Sequence, residues 1–167
     1  LDPTIVSPAT FSNVAGSAPP TAPLVSNFRW QTNCEHIQQQ PWQVVFKAKD
    51  NYTQGTTNAS LATFKVLQIR IIAPPAQNLQ ALVSANSAVL TWDAPYVCQN
   101  ALNFFGFTVW RKEGCDNFQP DSCQIGLAGQ GYTQINSGYV TTPVGAQFTY
   151  TDNTIDNGKA YSYRILG

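Results

Sequence analysis

Apolar residues recur at every second position in several short segments, and this spacing constrains the fold more than any other feature of the sequence. The clearest segments are Trp42–Ala48, Phe64–Ile71, Ala88–Trp92, Phe105–Arg111 and Ala160–Ile165. Side chains point alternately to the two faces of a strand, so the pattern predicts strands with one buried and one solvated face. No long segment repeats with the 3.6-residue period of an amphipathic helix. The sequence therefore predicts an all-β protein built of antiparallel β-sandwiches.

The same pattern assigns side chains to the predicted core. The expected inward-facing sets are Trp42, Val44, Phe46 and Ala48 in the first segment; Leu67, Ile69 and Ile71 in the second; Ala88, Leu90 and Trp92 in the third; Phe105, Phe107 and Val109 in the fourth; and Tyr161, Tyr163 and Ile165 in the last. Thr108 and Trp110 are expected on the opposite face of the fourth segment.

A proline pair divides the chain. Pro74 and Pro75 follow the predicted strand that ends near Ile72, and proline cannot donate to a strand ladder. A fresh series of predicted strands begins at Leu79. We therefore expect two tandem β-sandwich modules, residues 1–73 and residues 74–167. Each is shorter than the roughly 100 residues of a complete sandwich.

Composition excludes several functional classes. Nine lysine and arginine residues balance nine aspartate and glutamate residues, so no basic surplus is available for a nucleic-acid partner. No apolar run reaches the ~18 residues that a membrane-spanning helix needs. One histidine and 11% charged residues leave few groups for acid–base chemistry, and the sequence has no nucleophile elbow or phosphate-binding loop. We expect a protein that is not an enzyme, carries no cofactor and spans no membrane.

Motifs in the second module resemble a fibronectin type III domain. The segments that resemble its strands A, B, C and E are Pro75–Leu79, Val89–Pro95, Gly106–Gly114 and Phe148–Asp152, and the corner leading into strand F is matched by Ile155, Gly158 and Tyr161. The resemblance implies that Trp92 fills the core and that Tyr161 forms the tyrosine corner. It also implies a domain that lacks its last strand.

The chain as a whole resembles a narrower group. The segments from Phe28 to Asn51, from Gly114 to Cys123 and from Gly131 to Ile135 resemble parts of large Bacteroidota gliding-motility-associated surface proteins. In those proteins an immunoglobulin- or cadherin-like repeat precedes a fibronectin-like module. The resemblance implies type IX secretion to the extracellular cell surface and a link to gliding or adhesion. The implied partners are neighbouring domains of the same long polypeptide, and the export machinery or outer-membrane surface proteins.

These expectations leave three functions open. The first is a non-catalytic structural or interaction segment of a large secreted protein. The second is a glycan- or protein-binding module, and the third is an accessory region of a secreted hydrolase. Both modules lack strands that the resembling families contain, and a missing strand leaves an unpaired edge. The chain is therefore expected to be a segment of a longer polypeptide or to receive a strand from a partner.

The four cysteines occur without a Cys-x-x-Cys pair, which favours disulfides over zinc and an oxidising compartment over the cytoplasm. Cys115 and Cys123 lie in one polar loop and are expected to close it with a bridge. The strand order implied by the resemblance brings the loops of Cys34 and Cys98 to the module junction. A Cys34–Cys98 bridge is therefore expected to lock the two modules. The alternative is two unpaired buried cysteines.

The acidic and histidine residues are not expected to bind a metal or to act in catalysis. Cys34, Glu35 and His36 lack the second Cys or His cluster that zinc needs, and His36 is expected at the surface or the junction. Asp50 has too few neighbouring carboxylates for a calcium site and is expected to start a turn. Asp93 and Asp152 lie at strand ends, where aspartate commonly begins a turn, so they are not expected to act as a glycosidase pair.

Trp110 is the candidate binding aromatic. It lies on the strand face opposite Phe107 and Val109, where an indole could stack on a sugar ring. The alternative is that Trp110 packs under the loop between Cys115 and Cys123, which follows it directly.

Overall fold

The computed structural model describes residues 9–14, 24–50, 53–54, 57–58, 61–120 and 126–167. Within these residues the chain is all-β apart from one short 3-10 helix, and every strand pairing is antiparallel. The chain divides into two compact units, Leu1–Ile71 (unit 1) and Ile72–Gly167 (unit 2). The division falls two residues before the boundary that the proline pair predicts.

The described residues of unit 1 form three two-stranded sheets. Strand β1 (Thr10–Asn13) pairs with β2 (Ser26–Arg29), β3 (Trp42–Lys49) pairs with β6 (Ala62–Ile69), and β4 (Thr53–Gln54) pairs with β5 (Thr57–Asn58). The 3-10 helix Cys34–His36 lies between β2 and β3.

The long β3–β6 ladder has one packed and one exposed face. Phe46 lies on the packed face, and its ring contacts those of Phe11 and Phe28, with centroids 5.8 and 5.7 Å away. Val45 and its cross-strand partner Val66 lie on the other face and are 58% and 59% exposed. The period-two pattern therefore places these side chains on the expected faces, although unit 1 covers only one of them.

In unit 2 the residues that the structure describes form two three-stranded sheets. The first has the order β11-β8-β7, with β7 at Gln80–Ser84, β8 at Ser87–Asp93 and β11 at Gln147–Asp152. The second has the order β10-β9-β12, with β9 at Thr108–Glu113, β10 at Thr133–Gln134 and β12 at Tyr161–Leu166.

Both sheets of unit 2 contribute to one aromatic core. Trp92 on β8 and Phe148 on β11 contact the ring of Phe107, which precedes β9, with centroids 5.4 and 4.9 Å away. All three side chains have no exposed surface, and the same holds for Leu90 on β8 and Val109 on β9. Burying large apolar and aromatic side chains is the main favourable term in folding.

Three of the predicted core positions, Ala48, Leu67 and Phe105, are exposed and therefore wrong. Phe105 is 69% exposed, because Gly106 has a φ of +117° and turns the chain before β9 begins at Thr108. Leu67 is 45% exposed, because unit 1 leaves much of the β3–β6 ladder uncovered.

Candidate functional site

The structure forms a disulfide between Cys34 and Cys98. Cys34 begins the 3-10 helix, and Cys98 lies in the turn after β8, where it is 3% exposed. Disulfides persist in oxidising compartments, so the bond is compatible with an extracellular location.

The turn that holds Cys34 is ordered by a capping box. The side chain of Asn33 accepts a hydrogen bond from the Glu35 N–H (3.1 Å), and the Asn33 N–H donates to Nδ1 of His36 (2.9 Å). The Trp42 indole N–H donates to the carbonyl of His36 (2.8 Å). Reciprocal caps of this kind satisfy backbone donors that a helix start leaves unpaired.

His36 is buried, so of the two expected places, surface or junction, the surface is wrong. Only 3% of it is exposed, and its ring lies 4.9 Å from that of Trp30 and 6.2 Å from that of Trp42. The two indole rings also contact each other, with centroids 5.3 Å apart, so the three rings form one cluster and the capping bond to Asn33 holds the imidazole against it. No group of three or more potential metal ligands occurs in the part of the chain that the structure describes.

The turn that holds Cys98 rests on unit 2. The Tyr96 hydroxyl donates to the carbonyl of Pro74 (2.6 Å), and its ring stacks near those of Phe104 and Phe107. The Ala101 N–H closes the turn on the carbonyl of Cys98 (3.1 Å). Burial raises the pKa of Tyr96, so its hydroxyl stays a hydrogen-bond donor.

The predicted Cys115–Cys123 bridge is absent, because Cys115 is a free, exposed thiol. Cys123 lies outside the described residues. The described segment after β9 has no regular secondary structure, and in it Asp116 and Phe118 are half-buried whereas Cys115 is exposed. The carboxylate of Asp116 accepts hydrogen bonds from the Tyr132 hydroxyl (2.8 Å) and from Lys112 (3.3 Å). These contacts hold the segment on the sheet with the thiol facing outward, and the bond from Tyr132 lowers the pKa of Asp116.

Trp110 lies beside that segment on the outer face of β9. It is half-buried, its indole N–H donates to the Thr108 hydroxyl (2.9 Å), and its cross-strand neighbour on β12 is Arg164. The Arg164 guanidinium reaches over to the carbonyl of Phe118. The ring therefore lacks the open, flat exposure that a sugar platform uses.

Trp92 and Tyr161 are the residues that the fibronectin resemblance assigns to the core and to the tyrosine corner. Trp92 is fully buried in the core. The Tyr161 hydroxyl accepts a hydrogen bond from the Asp156 N–H five residues earlier (3.1 Å), and the Arg111 guanidinium lies 4.8 Å from the centre of its ring. This contact holds the loop that leads into β12.

Asp152 is the centre of a buried polar cluster that the sequence did not reveal. It ends β11 and is 2% exposed. One carboxylate oxygen accepts from Arg111 (2.8 Å) and from the Tyr163 hydroxyl (2.9 Å). The other accepts from the N–H and the hydroxyl of Thr154 (2.9 and 2.7 Å). The cluster ties β11 to both β9 and β12.

The pKa shifts follow from these contacts. Burial by itself raises the pKa of Asp152, but the bonds from Thr154, Tyr163 and Arg111 outweigh it, and the net effect is a lowered pKa. Burial and the neighbouring Asp152 raise the pKa of Tyr163. The carboxylate is thus charged and fully used by donors, an arrangement that stabilises structure and leaves no lone pair for proton transfer.

The sequence indicated two members of this cluster but not that they meet. Arg111 lies two residues after Val109 and therefore on the inward face of β9, where a charged side chain needs a buried partner. Thr154 follows Asp152 by two residues, the spacing of an Asx-type turn. Nothing in the sequence indicated that these residues meet. Asn136, also unforeseen, accepts from the Val109 N–H (2.7 Å) and supports β9 from the side of β10.

Two aspartates with a predicted turn role close the ends of strand pairs. Asp50 accepts from the Leu61 N–H (2.8 Å), which closes the end of the β3–β6 ladder. Asp93 accepts from the Asn78 side chain (2.7 Å).

A shallow cavity of about 260 Å³ lies beside β9 and is lined by Arg111, Lys112, Thr133, Ile135 and Tyr161, among others. Its charged groups already have partners: Arg111 bonds Asp152, and Lys112 bonds Asp116. The cavity therefore has few polar groups that lack a partner and could bind a ligand.

Comparison with known proteins identifies no relative: no protein-family model, curated protein or solved structure matches this chain. Among the helices of the described residues, none is long and apolar enough to cross a membrane.

Proposed function

We propose that this chain is a non-catalytic structural and interaction segment of a large secreted cell-surface protein. The Cys34–Cys98 disulfide carries the proposal. A disulfide that joins two separate loops favours an oxidising compartment and restricts the relative motion of the segments it connects. We further propose that unit 1 is a partial immunoglobulin- or cadherin-like sandwich and unit 2 a fibronectin type III-like sandwich.

Two observations support the fibronectin-like assignment of unit 2. Its two three-stranded sheets share one core around Trp92, as sandwich sheets do. The Tyr161 hydroxyl bonds the backbone of Asp156 at the entrance to β12, as a tyrosine corner does. The fold alone does not define a function, so the link to gliding or adhesion rests on the family resemblance.

The location is tested in the organism that makes the protein. Intact cells are treated with a membrane-impermeant thiol reagent and a protease, and peptides are mapped without reduction. We expect the protein to be accessible at the surface, with Cys34 and Cys98 recovered as one linked peptide. A strain without type IX secretion should retain the protein inside the outer membrane. Recovery from the cytoplasm with reduced Cys34 and Cys98 would contradict the proposal.

The mechanical role is tested by small-angle scattering. The protein with Cys34→Ser and Cys98→Ser should sample a wider range of shapes than the native protein, because the cross-link no longer restricts it. The Cys115→Ser variant is the matched control and should leave the scattering profile unchanged. Identical profiles for all three proteins would remove the structural role assigned to the disulfide.

A further inference from the structure

Two aromatic side chains of unit 2 lie together on its surface. Phe105 is 69% exposed and Tyr139 is 57% exposed, and the centroids of their rings are 6.3 Å apart. Trp110, the aromatic residue that the sequence favours for binding, is by contrast half-buried. Large aromatic side chains stabilise a fold by being buried. An exposed pair in mutual contact therefore indicates a role in recognition.

The backbone between these residues holds the two rings side by side. Gly106, which follows Phe105, has a φ of +117°, and a Cβ atom on it would lie 2.8 Å from Tyr139. Only glycine permits so close an approach in this conformation. Beyond Gly106, the N–H groups of Phe107 and Val140 each donate to the carbonyl of the other residue (2.9 Å both). The two rings thus flank a fixed backbone contact.

A buried asparagine fixes the turn that leads to Tyr139. Asn136 is 7% exposed, and its side-chain oxygen accepts from the Val109 N–H (2.7 Å). Its NH₂ group donates to the carbonyl of Phe107 (3.1 Å) and to that of Gly138. These contacts lie on the β10 flank of β9, since β12 pairs with the other flank. Side chains held in place before binding lose little conformational freedom in a complex, which favours affinity.

The chain around the aromatic pair carries no charge. Residues 94–110 and 122–151, the two stretches that contain Phe105 and Tyr139, include no aspartate, glutamate, lysine, arginine or histidine. Thr141 also lies against Gly106, and its hydroxyl is 3.4 Å from that of Thr142. A phosphate, sulfate or carboxylate group has no cationic partner in these stretches. The ligand that fits is therefore neutral, with an apolar face and with groups that form hydrogen bonds.

The area of the two rings favours a small ligand over a protein. A fully covered aromatic side chain buries about 150–250 Å², so the pair provides less than about 500 Å². A stable protein–protein interface needs about 800 Å² from each partner. One or two sugar rings match the smaller area.

We propose that Phe105 and Tyr139 form a binding site for a neutral carbohydrate. A pyranose ring has an apolar face of C–H groups that stacks on an aromatic ring, and its hydroxyls bond neutral side chains and water. Two adjacent aromatic rings suit adjacent sugar units of one chain, so an oligosaccharide should bind more tightly than a monosaccharide. The inference depends on unit 2 alone and goes beyond the proposed structural role, and either can fail without the other.

The test is a titration of the whole chain with neutral hexasaccharides, followed by amide NMR shifts. The probes are cellohexaose, maltohexaose, mannohexaose and xylohexaose, each added separately. At least one is expected to shift the amides of Gly106, Gly138 and Tyr139, and the shifts should saturate. Hexagalacturonate, which is acidic, should produce smaller shifts at the same concentration, because the site has no cation for its carboxylates.

Substitutions separate stacking from other contacts. Phe105→Ala and Tyr139→Ala should each weaken binding about tenfold or more, because each removes a stacking surface. Tyr139→Phe keeps the ring and should weaken binding clearly less than Tyr139→Ala. The matched control is Phe64→Ala on β6 of unit 1, which removes a phenylalanine that is 59% exposed and should leave the affinity unchanged. All these side chains are exposed, so every variant should keep the native amide spectrum away from its own position.

Four results would overturn the proposal. The first is the absence of saturable shifts with all four neutral probes. The second is a set of shifts centred on Trp110 or on the cavity beside β9. The third is equal weakening by Phe105→Ala and Phe64→Ala. The fourth is a shift of the same amides with protein concentration in the absence of sugar, since two copies of the chain would then meet at these rings.

Discussion

Replacing Asp152 by asparagine is expected to lower the free energy of unfolding of unit 2 by about 3 kcal/mol. The carboxylate is buried and accepts four hydrogen bonds, from Arg111, from Tyr163 and twice from Thr154. Asparagine keeps one acceptor oxygen for Thr154 but turns an NH₂ group toward Arg111 and Tyr163. The Arg111 and Tyr163 donors then face another donor, and the half-buried Arg111 loses its counter-charge.

The pH dependence gives this prediction a sign. The pKa of Asp152 is lowered in the folded protein, so its contribution to stability is present above the unfolded pKa of about 4 and is lost as the pH falls through the lower folded value. The difference between native protein and Asp152→Asn should therefore be constant from pH 8 to pH 5 and shrink below about pH 4.

Urea unfolding followed on NMR signals of the unit 2 core, such as the Trp92 indole, measures the effect. Asp156→Asn is the control, because Asp156 is an exposed carboxylate paired with Lys159 and solvent screens that pair, so its loss should cost clearly less than that of Asp152. Equal losses in both variants, or a loss for Asp152→Asn that does not shrink at low pH, would refute the reasoning.

Three further predictions concern single positions. Cys34→Ser should lower the free energy of unfolding by about 4 kcal/mol in the chain-entropy description, since the disulfide closes a loop of about 65 residues. In the folded native protein, iodoacetamide should label Cys115 and not Cys98. Labelling of Cys98 would refute the bridge. Gly106→Ala should lower the free energy of unfolding by about 2 kcal/mol or more, because φ is +117° and a Cβ would lie 2.8 Å from Thr141 and Tyr139. Gly145→Ala, whose added Cβ would meet nothing within 4 Å, should lower it clearly less in the same urea titration. Tyr161→Phe should lose about 1 kcal/mol, since the Asp156 N–H loses its acceptor, and a loss below about 0.3 kcal/mol would show that the hydroxyl does not hold the corner.

Side-chain periodicity predicted the strands well where neighbouring strands cover one face. The segment Ala88–Trp92 was expected to bury Ala88, Leu90 and Trp92, and all three are buried on β8. The period-two pattern predicts burial here because every second side chain of β8 faces the core. At Phe105 the same pattern was wrong, since the strand begins only after the turn at Gly106 and a period cannot show where a strand starts.

Contacts between distant residues could not be read from the sequence. Asp152 and Arg111 both lie in predicted strands, but their pairing depends on how β11 crosses β9, and one sequence contains no register between separated segments. The Cys115–Cys123 bridge failed for a related reason. Proximity in the chain suggested it, but proximity in sequence does not fix how a loop folds, and Cys115 is a free, exposed thiol.

The hydrogen-bond partners of the polar groups in unit 2 indicate which of these groups remain available to bind another molecule. The Asp152 carboxylate has four donors and Asn136 accepts from the backbone of β9, whereas the buried indole N–H of Trp92 has no hydrogen-bond partner. A fully paired network stabilises a single arrangement and leaves little binding energy for a ligand. A ligand gains binding energy from groups that lose water and gain partners. Trp110 is half-buried with its indole N–H already bonded to Thr108, and Arg111 and Lys112 in the cavity beside β9 already have partners, so neither place is expected to be a binding site.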